Sequence, residues 1–169
     1  KKSIPRVVIM LGIVSLFTDV ASEMIYPLIP VYVATLGSGA VLLGIIEGIS
    51  ESTSALLKLA GGIISDRTGK RKLLVLTGYS ISSLLRPLTG IVSSSWQIVI
   101  IRMLDRVGKG IRTAPRDALI AGSVHESIRG KSFGFHRAMD HSGAVIGPVL
   151  AIVTLVTLFS FFKISDPLV

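Results

Sequence analysis

Apolar residues recur along this chain in runs long enough to cross a lipid bilayer, and that recurrence limits its fold more than any other feature. The hydrocarbon layer takes roughly 20 mostly apolar residues of helix to span. Five spans are expected, over residues 7–33, 41–65, 73–92, 96–113 and 132–162. Half of the residues are hydrophobic yet only 6% are aromatic, a balance unusual for a water-soluble domain and common where lipid is the solvent. The expected fold is an all-α polytopic membrane bundle. The first apolar run is too long for a signal sequence and lacks a small-residue cleavage site, so it is expected to stay as a span. With Lys1-Lys2 at one end and FFKISDPLV following an apolar run at the other, residues 1–169 read as an incomplete transmembrane domain cut from a longer protein.

The connectors alternate in character. LGSGA after the first span and SSSW after the third carry no charge, whereas DRTGKRK after the second and PRDALIAGSVHESIRGK after the fourth are rich in basic residues. By the positive-inside rule the basic connectors lie in the cytoplasm, and Lys1, Lys2 and Arg6 put the N-terminus there too. A bacterial cytoplasmic (inner) membrane is the expected location. The chain has 18 Lys and Arg against 10 Asp and Glu, but the excess is divided among loops and has no stacking aromatics beside it, so no nucleic-acid partner is expected. The absence of cysteine excludes a disulfide scaffold and thiolate metal sites.

GGIISDRTGKRK, residues 61–72, admits two readings: a phosphate-binding loop or a cytoplasmic hinge. A phosphate loop needs a glycine five residues before its Gly-Lys pair and Ser or Thr after the lysine, where this chain has Ile64 and Arg71. RVGKGI fails likewise, with Met103 and Gly110 in those places. A tight connector fits instead: Gly62 allows close helix approach, Gly69 permits positive φ, and Asp66 sits near a helix terminus.

These residues, Gly62-x-x-x-Asp66-Arg67-x-Gly69-Lys70-Arg71, resemble the connector between the second and third helices of the major facilitator superfamily of transporters at every defining position. GAVIGPVLA in the fifth span resembles the G-x-x-x-G-P-x-x-G motif of its antiporter branches through Gly143, Gly147 and Pro148, with Ala151 in place of the last glycine. The fourth-span motif R-x-x-x-G-x-G is matched by Arg102 and Gly108, with Arg106 in place of the first glycine. The resemblance implies a protein of two six-helix halves that rock about a central site. This chain would supply five helices of the N-terminal half, with the C-terminal half as its missing partner. It also implies that Asp66 helps to hold the outward-facing state, and that Arg102 acts in proton coupling or substrate contact.

Ionisable side chains lie within the spans: Asp19, Glu23, Glu47, Glu51, Arg86, Arg102, Asp105 and Arg106. At a helix centre each costs about 2.5 to 3.5 kcal/mol on the mildest insertion scale, so such groups face a partner or a water-filled cavity. Counting about 1.5 Å per residue puts Asp19, Glu23, Glu47, Glu51, Arg86, Arg102 and Arg106 in one slab about 15 to 24 Å from the cytoplasmic face. Asp19 and Glu23, Glu47 and Glu51, and Arg102 and Arg106 are each four apart, hence on one helix face. Lys58 continues the stripe of the second span. Tyr26, one turn beyond Glu23, is expected to line the same cavity. Arg86, just before Pro87, is expected to snorkel to the outer interface.

Pro27 and Pro30 are expected to kink the first span. Gly44-x-x-x-Gly48 and Gly143-x-x-x-Gly147 offer close helix contacts. In HRAMDH, residues 136–141, the two histidines are five apart and share no helix face, so no metal is expected. Arg137 and Asp140 are expected to pair with the charged end of the fourth span, DRVGKGIRTAPRD, as an inner gate. No nucleophile, metal cluster or phosphate loop stands at recognisable spacing, so neither an enzyme nor a cofactor is expected. The expected function is secondary active transport by alternating access, coupled to protons. The expected partners are a small-molecule solute, protons and the lipid bilayer. The alternative is a noncatalytic membrane sensor or assembly subunit.

Overall fold

The computed structural model describes residues 3–35 and 39–162. Lys1, Lys2, the first part of the LGSGA connector and residues 163–169 lie outside the described residues. The described chain is all α: α1 (Arg6–Ile25), α2 (Leu28–Thr35), α3 (Ala40–Thr68), α4 (Arg71–Leu85), a 3-10 segment (Arg86–Ile91), α5 (Ser95–Ser123) and α6 (Glu126–Phe162). Arg6–Thr35, Ala40–Thr68 and Glu126–Phe161 are each long and apolar enough to cross a membrane by length and composition.

The first pass breaks between α1 and α2, at Tyr26 and Pro27. Proline has no N–H to bond the preceding turn and its ring crowds the carbonyl four residues back. Pro30 causes no second break, because it falls in the first turn of α2, where no intrahelical N–H bond is owed. At the next turn but one, Gly69 adopts φ 67°, its N–H bonds Ser65 O at 2.9 Å, and α4 begins two residues later. An L side chain would be strained there, which accounts for the glycine. Ser94 caps α5 through a capping box with Gln97, whose side-chain oxygen accepts from the backbone N–H of Ser94 at 3.2 Å.

The expected long connector over residues 114–131 is corrected by the structure: only Val124 and His125 separate α5 from α6. At about 1.5 Å per residue, the 37 residues of α6 exceed the hydrocarbon thickness, so their charged beginning projects into water, where charge and helix are compatible. Pro115 sits fully buried inside α5. The carbonyl it leaves without a partner is that of Ile111. The α3 backbone presses on that same carbonyl at Gly61, where an added Cβ would stand 2.9 Å away.

Packing joins α1 to α6 and places α5 between α3 and α4. Each contact is a close backbone approach. A Cβ on Gly143 would lie 2.6 Å from Leu16 O, one on Gly147 2.7 Å from the Glu23 Cβ, and one on Gly78 2.6 Å from Gly108 O. Gly143-x-x-x-Gly147 therefore is a close contact face, whereas a Cβ added at Gly44 or Gly48 would meet nothing within 4 Å among the described residues, contrary to the sequence reading. Gly62 meets Ala114 only at ordinary contact distance, 3.4 Å, and the close approach expected of it belongs to Gly61.

Two apolar clusters close the ends of the bundle. Ile29, Val33, Ile46, Val92, Ile98 and Val99 pack at the uncharged end, and Val8, Ile120 and Val124 at the basic end. Between them the buried residues include Thr18, Ser50, Ser82, Arg86, Arg102, Asp105, Arg106 and Arg112, while Phe17, Leu56 and Val145 are about two-thirds exposed. Polar side chains inside and large apolar ones outside reverse the pattern of a water-soluble protein and fit a bundle whose surroundings are apolar.

Candidate functional site

Charged side chains meet in three places along the interior. The first lies towards the uncharged end. Glu47 on α3 accepts a hydrogen bond from the Tyr26 hydroxyl at 2.7 Å through Oε2 and one from Arg102 Nη2 at 3.0 Å through Oε1. The Arg102 guanidinium also lies over the Tyr26 ring, 4.5 Å from its centre, so the three groups form a closed triangle. One turn on, Arg106 Nη2 reaches Glu51 Oε1 at 3.2 Å. Both helices rise in the same direction and both pairs are four residues apart, so the acids of α3 and the arginines of α5 match rung for rung.

The second place joins α4, α5 and α1. Arg86 Nε donates to Asp105 Oδ1 at 3.2 Å and its Nη1 to the Thr18 carbonyl at 2.6 Å. Arg86 is 9% exposed and Asp105 6%. The expected snorkelling of Arg86 is thus overturned: the 3-10 segment turns its guanidinium inward to a carboxylate, which costs less than reaching for the interface past its own bundle.

The third is a cavity of about 200 Å³ between α1, α3, α5 and α6. Its wall includes Asp19, Lys58, Lys109, Arg112, Arg116, Asp117, His136, Arg137, Asp140 and His141. Arg116 holds Asp117 at 3.2 Å and Asp140 at 3.7 Å, and Ser15 donates its hydroxyl hydrogen to Asp140. Arg112 donates to Ser82 Oγ at 2.9 Å and stacks over Tyr79 at 4.3 Å. Asp19 faces Asp140 across the cavity. His136 is 2% exposed and its Nε2 has no hydrogen-bond partner.

The residues expected in one slab are therefore divided. Tyr26, Glu47 and Arg102 come together, with Glu51 and Arg106 a turn away; Asp19 belongs to the cavity. Glu23 is half-buried beside Gly147 and joins no ion pair among the described residues. Asp140 does pair with the charged end of α5, through Arg116, while Arg137 forms no ion pair among the described residues. The basic turn places Arg71 Nη2 3.8 Å from Asp66 Oδ1, the acid largely open to solvent and the arginine half-buried, with Arg67 and Lys70 exposed beside them. Gly143, Gly147 and Pro148 lie on α6, where the two glycines form the α1 contact. Lys109, Arg112 and Arg116 were missed as a site. Their signal was the three- and four-residue spacing that continues Arg102 and Arg106 along one face of α5, obscured by Pro115, which reads as a helix stop.

The sequence profile of the Major Facilitator Superfamily matches residues 11–162. An uncharacterised MFS-type transporter of Methanocaldococcus jannaschii is 39% identical over 164 residues, 96% of this chain and 41% of the relative. An uncharacterised protein of Mycobacterium tuberculosis is 31% identical over 144 residues, 85% of this chain and 35% of the relative. The multidrug resistance protein MdtH of Escherichia coli is 30% identical over 128 residues, 75% of this chain and 32% of the relative. The chain thus spans less than half the length of the relatives it matches.

Proposed function

Because the chain belongs to the Major Facilitator Superfamily, we propose that it is part of a secondary active transporter that moves a small solute across the membrane by alternating access, coupled to protons. The observation that carries this reading is the convergence of ionisable side chains from α1, α3, α5 and α6 on the interior of an apolar-surfaced bundle. Charge is costly inside a membrane, so a buried set spread over four helices is retained for a task. Asp19, Glu47, Glu51, Arg102 and Arg106, with Tyr26 and Glu23, form the solute or proton path in this proposal. A carboxylate between arginines gains and loses a proton as its partners move away or return.

The turn of Asp66, Arg67, Gly69, Lys70 and Arg71 is the gating brace, on the cytoplasmic side of the inner membrane by the positive-inside rule. Its stiffness comes from the two-residue linkage and the Asp66–Arg71 approach. The C-terminal half supplies the opposing wall. The name of the Escherichia coli relative suggests export as the direction.

The full-length protein, reconstituted in liposomes with an imposed pH gradient, is expected to move at least one solute of a broad panel against its gradient; movement of none would defeat the reading. Asp66→Ala is expected to slow turnover while membrane insertion stays normal, and unchanged turnover would remove the turn from gating.

A further inference from the structure

The cavity between α1, α3, α5 and α6 differs from the rest of the polar interior in its charge balance. Five cationic side chains line it against three carboxylates. Two of those carboxylates, Asp117 and Asp140, are held by a single arginine, Arg116. Arg112 is satisfied by a hydroxyl and an aromatic face, neither of which neutralises it. Asp19 lies beside Asp140, with Lys109 and Arg112 also near it. No hydrogen bond or ion pair engages the side chain of Lys58, Lys109 or Arg137 among the described residues.

Lys58, Lys109 and Arg137 are open to solvent, and with the buried Arg112 they give the concave wall an excess of positive potential. A second, independent feature sits in the same wall. His136, one of the residues that line it, is almost wholly buried, and among the described residues its Nε2 has no hydrogen-bond partner, which costs free energy unless a rearranged wall or a ligand supplies one. In the tautomer that carries its hydrogen on Nε2, it donates to an oxygen acceptor. Lysine ammonium groups, a guanidinium and an imidazole N–H all supply hydrogens, and oxyanions accept several at once.

We infer that this cavity binds an oxyanionic group, a carboxylate or phosphate, carried by the transported solute, with Lys58, Lys109, Arg112 and His136 as its ligands. The inference rests on the transporter reading and names the class of solute. The volume of about 200 Å³ holds such a group with a small attached body.

Succinate and inorganic phosphate serve as probes of the full-length protein in neutral detergent, at fixed ionic strength, with tetraethylammonium and sucrose as counterparts. The oxyanions are expected to raise the melting temperature and the counterparts to leave it unchanged. The double variant Lys58→Gln/Lys109→Gln is expected to weaken the apparent affinity at least ten-fold, whereas Lys109→Arg, which keeps the charge, stays within about three-fold. Equal response to all four probes, or unaltered affinity in the double variant, would overturn the inference. Stabilisation by phosphatidylglycerol with none by the soluble anions would also overturn it, since the site would then hold a lipid headgroup. Liposome transport separates the two levels: movement of cations or neutral solutes alone removes the oxyanion and leaves the transporter, while oxyanion binding with no transport of any solute removes the transporter and leaves the site.

Discussion

Two regions of the interior use the same kinds of residue and end in opposite conditions. In the triangle of Tyr26, Glu47 and Arg102, the carboxylate accepts from both neighbours, the arginine is stacked as well as bonded, and acid is matched by base. In the cavity one turn or two towards the basic end, cations outnumber carboxylates; a buried nitrogen without a partner among the described residues occurs in both regions, His136 Nε2 here and Arg102 Nε in the triangle. A matched set holds helices together, because removing any member leaves another buried and unsatisfied. An unmatched set costs stability as it stands and is relieved by a ligand. The difference separates a stretch of the proposed path that also braces the helices from one that is open to a ligand.

If that division is right, substitutions in the matched regions cost stability and those in the cavity cost binding. The largest effect is expected at the most buried pair. Asp105→Asn leaves Arg86 uncompensated among side chains about one-tenth exposed and is expected to destabilise the full-length protein by about 3–5 kcal/mol, seen as a large fall in melting temperature in detergent. A fall of only a degree or two would mean that water reaches the pair.

Next comes Gly143→Val. Its Cβ would collide with the Leu16 carbonyl, so α1 and α6 must separate, at a cost of about 1–3 kcal/mol or more. Gly44→Ala is the control. It meets nothing within 4 Å and is expected to hold or raise stability by about 0.5–1 kcal/mol through helix propensity.

Smaller still is Tyr26→Phe, which keeps the ring beneath Arg102 and removes one hydrogen bond to a partly exposed carboxylate. About 1 kcal/mol is expected, with Arg102 still paired to Glu47. Loss of transport without loss of stability in this variant would show that the triangle serves the path and does not brace the helices. The smallest stability change, within about 0.5 kcal/mol, is expected for Lys58→Gln, an exposed side chain without a partner. A marked loss of stability there would show that the lysine is part of the brace and would blur the comparison.

The sequence by itself determined the solvent and the class of fold. Apolar runs of bilayer length, alternating with connectors of opposite charge character, make a polytopic helical bundle, and the basic turn at residues 61–72 with the Gly143 and Gly147 motif marks the family. Periodicity also determined the faces, since Glu47 with Glu51 and Arg102 with Arg106 do line up on α3 and α5. Such features are local or periodic, so one chain segment carries all the information they need.

Only the tertiary structure decided which faces meet and at what height. The slab reckoned from helix rise placed Asp19 with Glu47, and Arg86 was expected to snorkel to the outer interface. The packed helices instead give Asp19 to Asp140, and Arg86 to Asp105 and Thr18. Register between helices is set by where backbones approach most closely, at Gly61 on Ile111, Gly78 on Gly108, and Gly143 on Leu16. Those contacts join residues far apart in sequence, and a count along one helix has no term for them. The end of α5 escaped the sequence for the same reason: Pro115 disfavours helix locally, yet tight packing around it and around the Ile111 carbonyl holds the helix through to Ser123.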